Sequence, residues 1–190
     1  MGDLHIRELS VADVDAVAAL HADSWQRTYR GIFTDAFLDG PVVEDRRRVW
    51  ADRVAARSCP ETAATAATFV AAGVDRPGIV GFVHVVASDP DGPGALIDNL
   101  HVDPAGQGRG ISTRLLARAA RWAEQQHAVS SLHLWVAASN DHAIAVYVHL
   151  GAEIDASDVH DDGGGPFEVL RMVWRSPRFA ELAARAGDPG

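Results

Sequence analysis

The stretch that most limits how this chain can fold runs from Ala95 into the residues after Gly110. A β-like run ends at Val102, Gly106, Gly108 and Gly110 alternate, and a long amphipathic helix follows. In that helix Ile111, Leu115, Ala119 and Ala123 repeat every four residues, with Leu116, Ala120 and Trp122 broadening the same side. The first turn of a helix has N–H groups without internal partners, and the helix dipole favours negative charge there. Glycines let the backbone approach closely and take up positive φ. The unit therefore predicts a site for a phosphate anion, starting near Gly108, to which Arg109 would add a charge-assisted contact. Strand, glycine turn and helix is a common order, so these residues alone give only a generic anion site.

Two well-known phosphate cradles fit badly. A P-loop needs a lysine after its last glycine, but Gly110 is followed by Ile111, and all 17 basic side chains of the Lys and Arg class are arginines. The dinucleotide fingerprint needs an acidic residue on a second parallel strand about 20 positions later, and none is evident here.

Around this unit the pattern is mixed. Ser10 is a plausible N-cap for a helix from Val11 to about Ser24, with Val14, Val17, Ala18 and His21 on one side. A second helix is predicted from Glu44 to Ala56, with Val43, Trp50, Val54 and Ala55 as its apolar side and Arg46-Arg47-Arg48 as a solvated run. Strands are expected over 68–72 and 79–87, joined by a turn containing Gly73, Pro77 and Gly78, and over 95–102 after the turn at Asp89–Gly94. Further strands are expected over 131–137, 153–156 and 167–174, a short helix from Asn140 to Leu150-Gly151, and a loop at 161–166. The order is helices first, then mixed strands and helices, in an α+β layered fold of one domain.

At 190 residues the chain is long enough for one substantial core. No apolar run approaches the roughly 20 residues that span a bilayer, and the first residues lack the basic-then-apolar order of a signal peptide, so a cytoplasmic location is expected. A lone Cys59 allows no internal disulfide and is expected to be buried. The net charge of −9 argues against nucleic acid or anionic membrane as partner and tolerates cationic substrates. No histidine cluster has metal-ligand spacing, and no metal is expected.

Two motifs carry a family resemblance. The first is Leu100-His101-Val102-Asp103-Pro104 followed by Gln107-Gly108-Arg109-Gly110-Ile111-Ser112 and Leu115-Leu116. It resembles the acyl-CoA-binding motif of the GNAT superfamily of N-acetyltransferases: Gln or Arg, two residues, Gly, one residue, Gly or Ala. Ser112 departs from the last position. The second, roughly 28 residues on, is Asn140, Ala143, Tyr147 and Leu150-Gly151, similar to the family's later motif, although Ala152 stands where Phe is common. The resemblance extends from Ile6 to about Val173, so that 1–175 would form the domain and 176–190 a C-terminal tail. It implies a central mixed, mostly antiparallel sheet of about six to seven strands flanked by about four helices.

It also implies an N-acetyltransferase with acetyl-CoA as co-substrate, a small-molecule or peptide amine as acceptor, and transfer by direct attack. A non-catalytic acyl-CoA-binding domain on the same fold is the alternative. The pyrophosphate would lie on Gln107, Gly108, Arg109, Gly110, Ile111 and Ser112, and the pantetheine arm on Leu100, His101, Val102 and Asn140. Tyr147 would protonate the leaving sulfur. Asp98 would be the base, through a water, or alternatively an anchoring carboxylate. Strand alternation places Asp98 and His101, three apart, on opposite faces. Trp25 and Tyr29, in a Ser-Trp-x-x-Thr-Tyr-x-Gly pattern, would line the acceptor cleft or pack in the core. A homodimer, with the last strands and 176–190 at its interface, is compatible with the resemblance.

Overall fold

The computed structural model describes residues 4–59, 65–73, 78–161 and 165–185. Its core is a seven-stranded sheet in the order β1-β2-β3-β4-β5-β7-β6. The strands are β1 (Leu4–Glu8), β2 (Ala66–Gly73), β3 (Ile79–Val86), β4 (Ala95–Val102), β5 (Ser131–Ala137), β6 (Glu153–His160) and β7 (Phe167–Arg175). All neighbours are antiparallel except β4 and β5. The helices are α1 (Val14–Thr28), α2 (Asp35–Leu38), α3 (Val42–Ala56), α4 (Ile111–His127), α5 (Asp141–His149) and α6 (Arg178–Ala184). Four of them are long and two are short, so the expected α+β layered, mixed and mostly antiparallel fold is the one found. Among the described residues no helix is long and apolar enough to cross a membrane.

The sheet separates two cores. On one side α4 buries the predicted stripe, Ile111, Leu115, Leu116, Ala119, Ala120 and Ala123, against Phe69, Val83, Ile97, Leu132 and Leu134. Full burial of each large side chain contributes roughly 1.5–3 kcal/mol. Phe179, Leu182 and Ala183 of α6, which lie in the stretch read as a tail, join this core. On the other side Val17, Ala18 and Leu20 of α1 and Trp50 of α3 close over Val70 and Phe82.

Several expectations are corrected. A strand, not a helix, comes first: β1 pairs with β2 along its whole length, and its five residues are too few to reveal a period. Helix formation after Ser10 begins as a 3₁₀ turn, Val11–Asp13. There the Asp13 carboxylate accepts from the Ser10 N–H at 2.8 Å and from Arg7 at 2.6 and 2.7 Å. The Arg7 hydrogen bonds hold Asp13 well below the usual carboxylate range. In α3 the residues facing inward are Val42, Trp50 and Val54, whereas Val43 and Ala55 are exposed. Cys59 is exposed, because it follows the end of α3 instead of entering a core. The turn expected at Pro77 and part of the loop expected at 161–166 lie outside the described residues, as does the end of the tail.

Candidate active site

β4 and β5 are paired only at Ala95–Leu132 and Leu96–His133 and then diverge. The separation opens a cleft of about 1190 Å³ between the two strands, the start of α4, and α5. An antiparallel pair exchanges hydrogen bonds at every second residue, and the Asp103 N–H donates to the Val80 carbonyl at 2.9 Å. With His101 opposite Phe82 and Asn99 opposite His84, the groups facing β3 are those of Asp103, His101 and Asn99. The main-chain groups of Leu100 and Val102 therefore point into the cleft, where β5 has left the sheet. The main-chain groups of His101 face β3 instead, and its ring packs against Ser24, His21 and Phe82.

At the floor of the gap, Asp103 accepts from the Ala105 N–H at 2.7 Å and turns the chain into the glycine loop. Gly108 and Gly110 both have φ of +72°, and a Cβ at either would meet nothing within 4 Å, so their role is conformational. Gly106 is buried, and a Cβ there would lie 2.8 Å from Ile111 Cδ1. Gly110 is the N-cap of α4, whose unpaired N–H groups open toward the cleft. Gln107, Gly108, Gly110, Ile111 and Ser112 line it, whereas Arg109 is exposed and lies outside the lining.

The opposite wall is α5. Asn140 caps it by accepting from the Ala143 N–H at 3.2 Å, and Gly151, φ +91°, ends it. Tyr147 sits one turn before that end, buried, edge-on to Trp174 at 5.8 Å, and lines the cleft. Burial, reinforced by Tyr29, pushes its hydroxyl pKa upward, so Tyr147 is a neutral donor at physiological pH.

On the side of α1 and α3 the structure overturns the opposite-face expectation for Asp98 and His101. Asn99 pairs with His84 and Ile97 with Val85, leaving Asp98 as an unopposed bulge residue. The bulge resets the alternation, and Asp98, Asn99 and His101 all face α1 and α3. Arg53 of α3 donates to Asn99 Oδ1 at 2.6 Å and to Asp98 Oδ2 at 2.5 Å. His101 Nδ1 is 2.7 Å from Ser24 Oγ of α1, and its ring lies 4.6 Å from that of His21. Burial pushes the His101 pKa down to about 4, with Arg46 adding to the effect. His84, bonded to Thr68, is likewise lowered to about 4, and His21 is held well below the ordinary histidine value, in each case chiefly by burial. All three imidazoles are neutral at pH 7.

Trp25 and Tyr29 line the same half of the cleft and also pack on Phe33, at 4.9 and 5.5 Å. Both are half-buried at the cleft and lie outside the two cores. Arg46 is not part of a solvated run: its guanidinium lies 4.2 Å from the Trp25 ring centroid, and it too lines the cleft. Sequence reasoning missed Ser24, Arg46, Arg53, Trp135, His160 and Phe167. Only Ser24, inside the Ser-Trp-x-x-Thr-Tyr pattern, had a local signal; the others reach the cleft through tertiary packing.

Comparison with known proteins agrees with this fold. A curated relative, an uncharacterized N-acetyltransferase YuaI of Bacillus subtilis, is 24% identical over 171 residues, covering 89% of this chain and 91% of the relative. Among solved structures, the paiA N-acetyltransferase from Thermoplasma acidophilum in complex with coenzyme A superposes with a TM-score of 0.70 at 18% identity, over 89% of this chain and 98% of that one. A spermidine N-acetyltransferase from Vibrio cholerae in complex with CoA and spermine gives 0.67 at 16% identity, over 93% and 98%. The model of the acetyltransferase (GNAT) family matches residues 22–152, most of the chain and both motif regions, and the chain belongs to that family of N-acetyltransferases.

Proposed function

We propose that the protein transfers the acetyl group of acetyl-CoA to a primary amine by direct attack within a ternary complex. The observation that carries this reading is the divergence of β4 from β5, which turns the Leu100 and Val102 main-chain groups into the same cleft as the glycine loop and Tyr147. N–H groups at the start of α4 would bind the pyrophosphate, with Gln107, Gly108, Gly110, Ile111 and Ser112 around it. The strand groups of Leu100 and Val102 would hold the pantetheine arm, and a strand amide there would polarise the thioester carbonyl. Asn140 would steady the same arm from the far wall.

In the transfer, the amine nitrogen forms a bond to the acetyl carbon and the carbon–sulfur bond breaks. Tyr147, kept protonated by burial, gives its proton to the departing sulfur. The amine loses a proton to water in the open half of the cleft. Asp98 takes part as the partner of Arg53, whose fork it shares with Asn99, which favours the anchoring alternative over a base acting through water. Ser24 and the neutral His101 border the route by which the proton leaves. The test is calorimetric and kinetic: acetyl-CoA should raise the melting temperature, and an amine panel should elicit CoA release. Absence of both effects would refute the reading.

A further inference from the structure

The acceptor half of the cleft lacks the acidic excess of the chain as a whole. Among the described lining residues the charged side chains other than histidines are Arg46, Arg53 and Asp98, two cations against one anion. Asp98 is already engaged by Arg53. Arg46 lies over Trp25 and is steadied by its neighbour Asp45, and Arg53 lies 4.8 Å from the Trp50 ring centroid. Ring contacts and ion pairs restrain each guanidinium, and an arginine carries five N–H donors, of which these contacts use only part. A polycation entering here would meet two fixed guanidiniums and a carboxylate that is already paired. A carboxylate would meet planar forks of matching shape. Trp25, Tyr29 and Phe167 supply aromatic surface beside them.

Resting on the acetyl-transfer reading above, we infer that the acceptor is an aminocarboxylate, an amino acid with an apolar or aromatic side chain. Arg53 and Arg46 hold its carboxylate while its amine faces the thioester. The bulge at Asp98 is what makes this geometry available, because it turns Asp98 and Asn99 together toward Arg53.

The experiment compares kcat/KM for phenylalanine, phenylalaninamide, phenethylamine and spermidine at saturating acetyl-CoA. The amide keeps the shape and removes the negative charge, and its less basic amine would be the better nucleophile were charge recognition absent. Phenylalanine is expected to exceed the amide and phenethylamine at least tenfold. Arg53→Gln and Arg46→Gln should each reduce that ratio to below threefold while the melting shift given by acetyl-CoA persists, which also reports that each variant is folded. Arg53→Lys should recover only part of the ratio. Equal use of acid and amide, preference for spermidine, or a ratio that survives both glutamine variants would overturn the inference. Loss of all acetylation of amino acids with the acetyl-CoA shift intact would overturn it too. A wild-type protein without any acetyl-CoA shift would instead bring down the underlying acetyl-transfer reading.

Discussion

The two halves of the cleft are built from different materials. The half facing α4 and α5 uses main-chain groups: the first turn of α4, two left-handed glycines, and the unpaired edge of β4. The half facing α1 and α3 uses side chains from distant segments, with Ser24 against His101 and Arg53 against Asp98 and Asn99. Backbone recognition tolerates substitution on the surrounding surface, because the groups that bind are present whatever the side chains. Side-chain recognition depends on packing, and here it rests on three neutral imidazoles, one of which, His21, has a buried Nε2 with no hydrogen-bond partner among the described residues.

That contrast predicts that the α1/α3 layer fails first in acid. His84 and His101 are lowered to about 4 and His21 also well below the ordinary range, so the unfolded chain binds more protons than the folded one below its ordinary histidine pKa of about 6.5. Stability is therefore full above about pH 6.5 and falls as pH drops toward 4, with a limiting slope of about 1.4 kcal/mol per pH unit per imidazole. Asp13, held down by its hydrogen bonds to Arg7, contributes its loss only below that window. Urea midpoints measured from pH 7.5 to 5 should decline steeply, and His84→Gln should flatten the decline by about a third. A flat profile would break the comparison at its base.

On the other side, Tyr147→Phe should lower kcat by about 10²–10⁴ while leaving the acetyl-CoA melting shift unchanged. Unchanged turnover with a competent amine would remove the acid role. Gly110→Asp should erase the shift itself. At acetyl-CoA near 100 Kd the expected stabilisation is about 2.7 kcal/mol, or roughly 5–10 °C for a domain of this size. The variant should still fold, since a Cβ at Gly110 meets nothing within 4 Å and its left-handed backbone costs only about 1–2 kcal/mol. A shift as large as that of the parent protein would mean that the pyrophosphate is bound elsewhere. The smallest effect is expected for Asp98→Asn. If Asp98 orients Arg53, the acceptor KM should rise about tenfold, equivalent to about 1.4 kcal/mol, with the pH dependence of kcat intact. A changed kcat profile would restore Asp98 as the base.

The sequence was legible where structure is local. The α4 stripe, the glycine past α5, and the strand over Ala95–Val102 each appear as predicted, because period and capping are written in consecutive residues. β1 was missed because its identity as a strand depends on β2, some 60 residues away in the chain. The Asp98 and His101 orientation was misjudged for a related reason: strict alternation holds only in a regular ladder, and the bulge is a property of the β3–β4 pairing. Arg46 looked solvated because a run of three arginines usually is, yet Trp25 from α1 lies beneath it.

By itself, then, the sequence determined the family motifs: residues 107–112 and 140–151 contain the glycines, the cap and the tyrosine in the order that those motifs require. It also determined the layered α+β class, since amphipathic period and turn chemistry are local quantities. Only the tertiary structure decided that β4 and β5 part after two residue pairs, and that Arg53, Arg46, Ser24 and His101 converge on the far side of β4. Main-chain binding needs a backbone conformation, which a few adjacent residues can specify. A cluster of side chains needs distant segments packed in one particular register, and no short stretch of sequence records that.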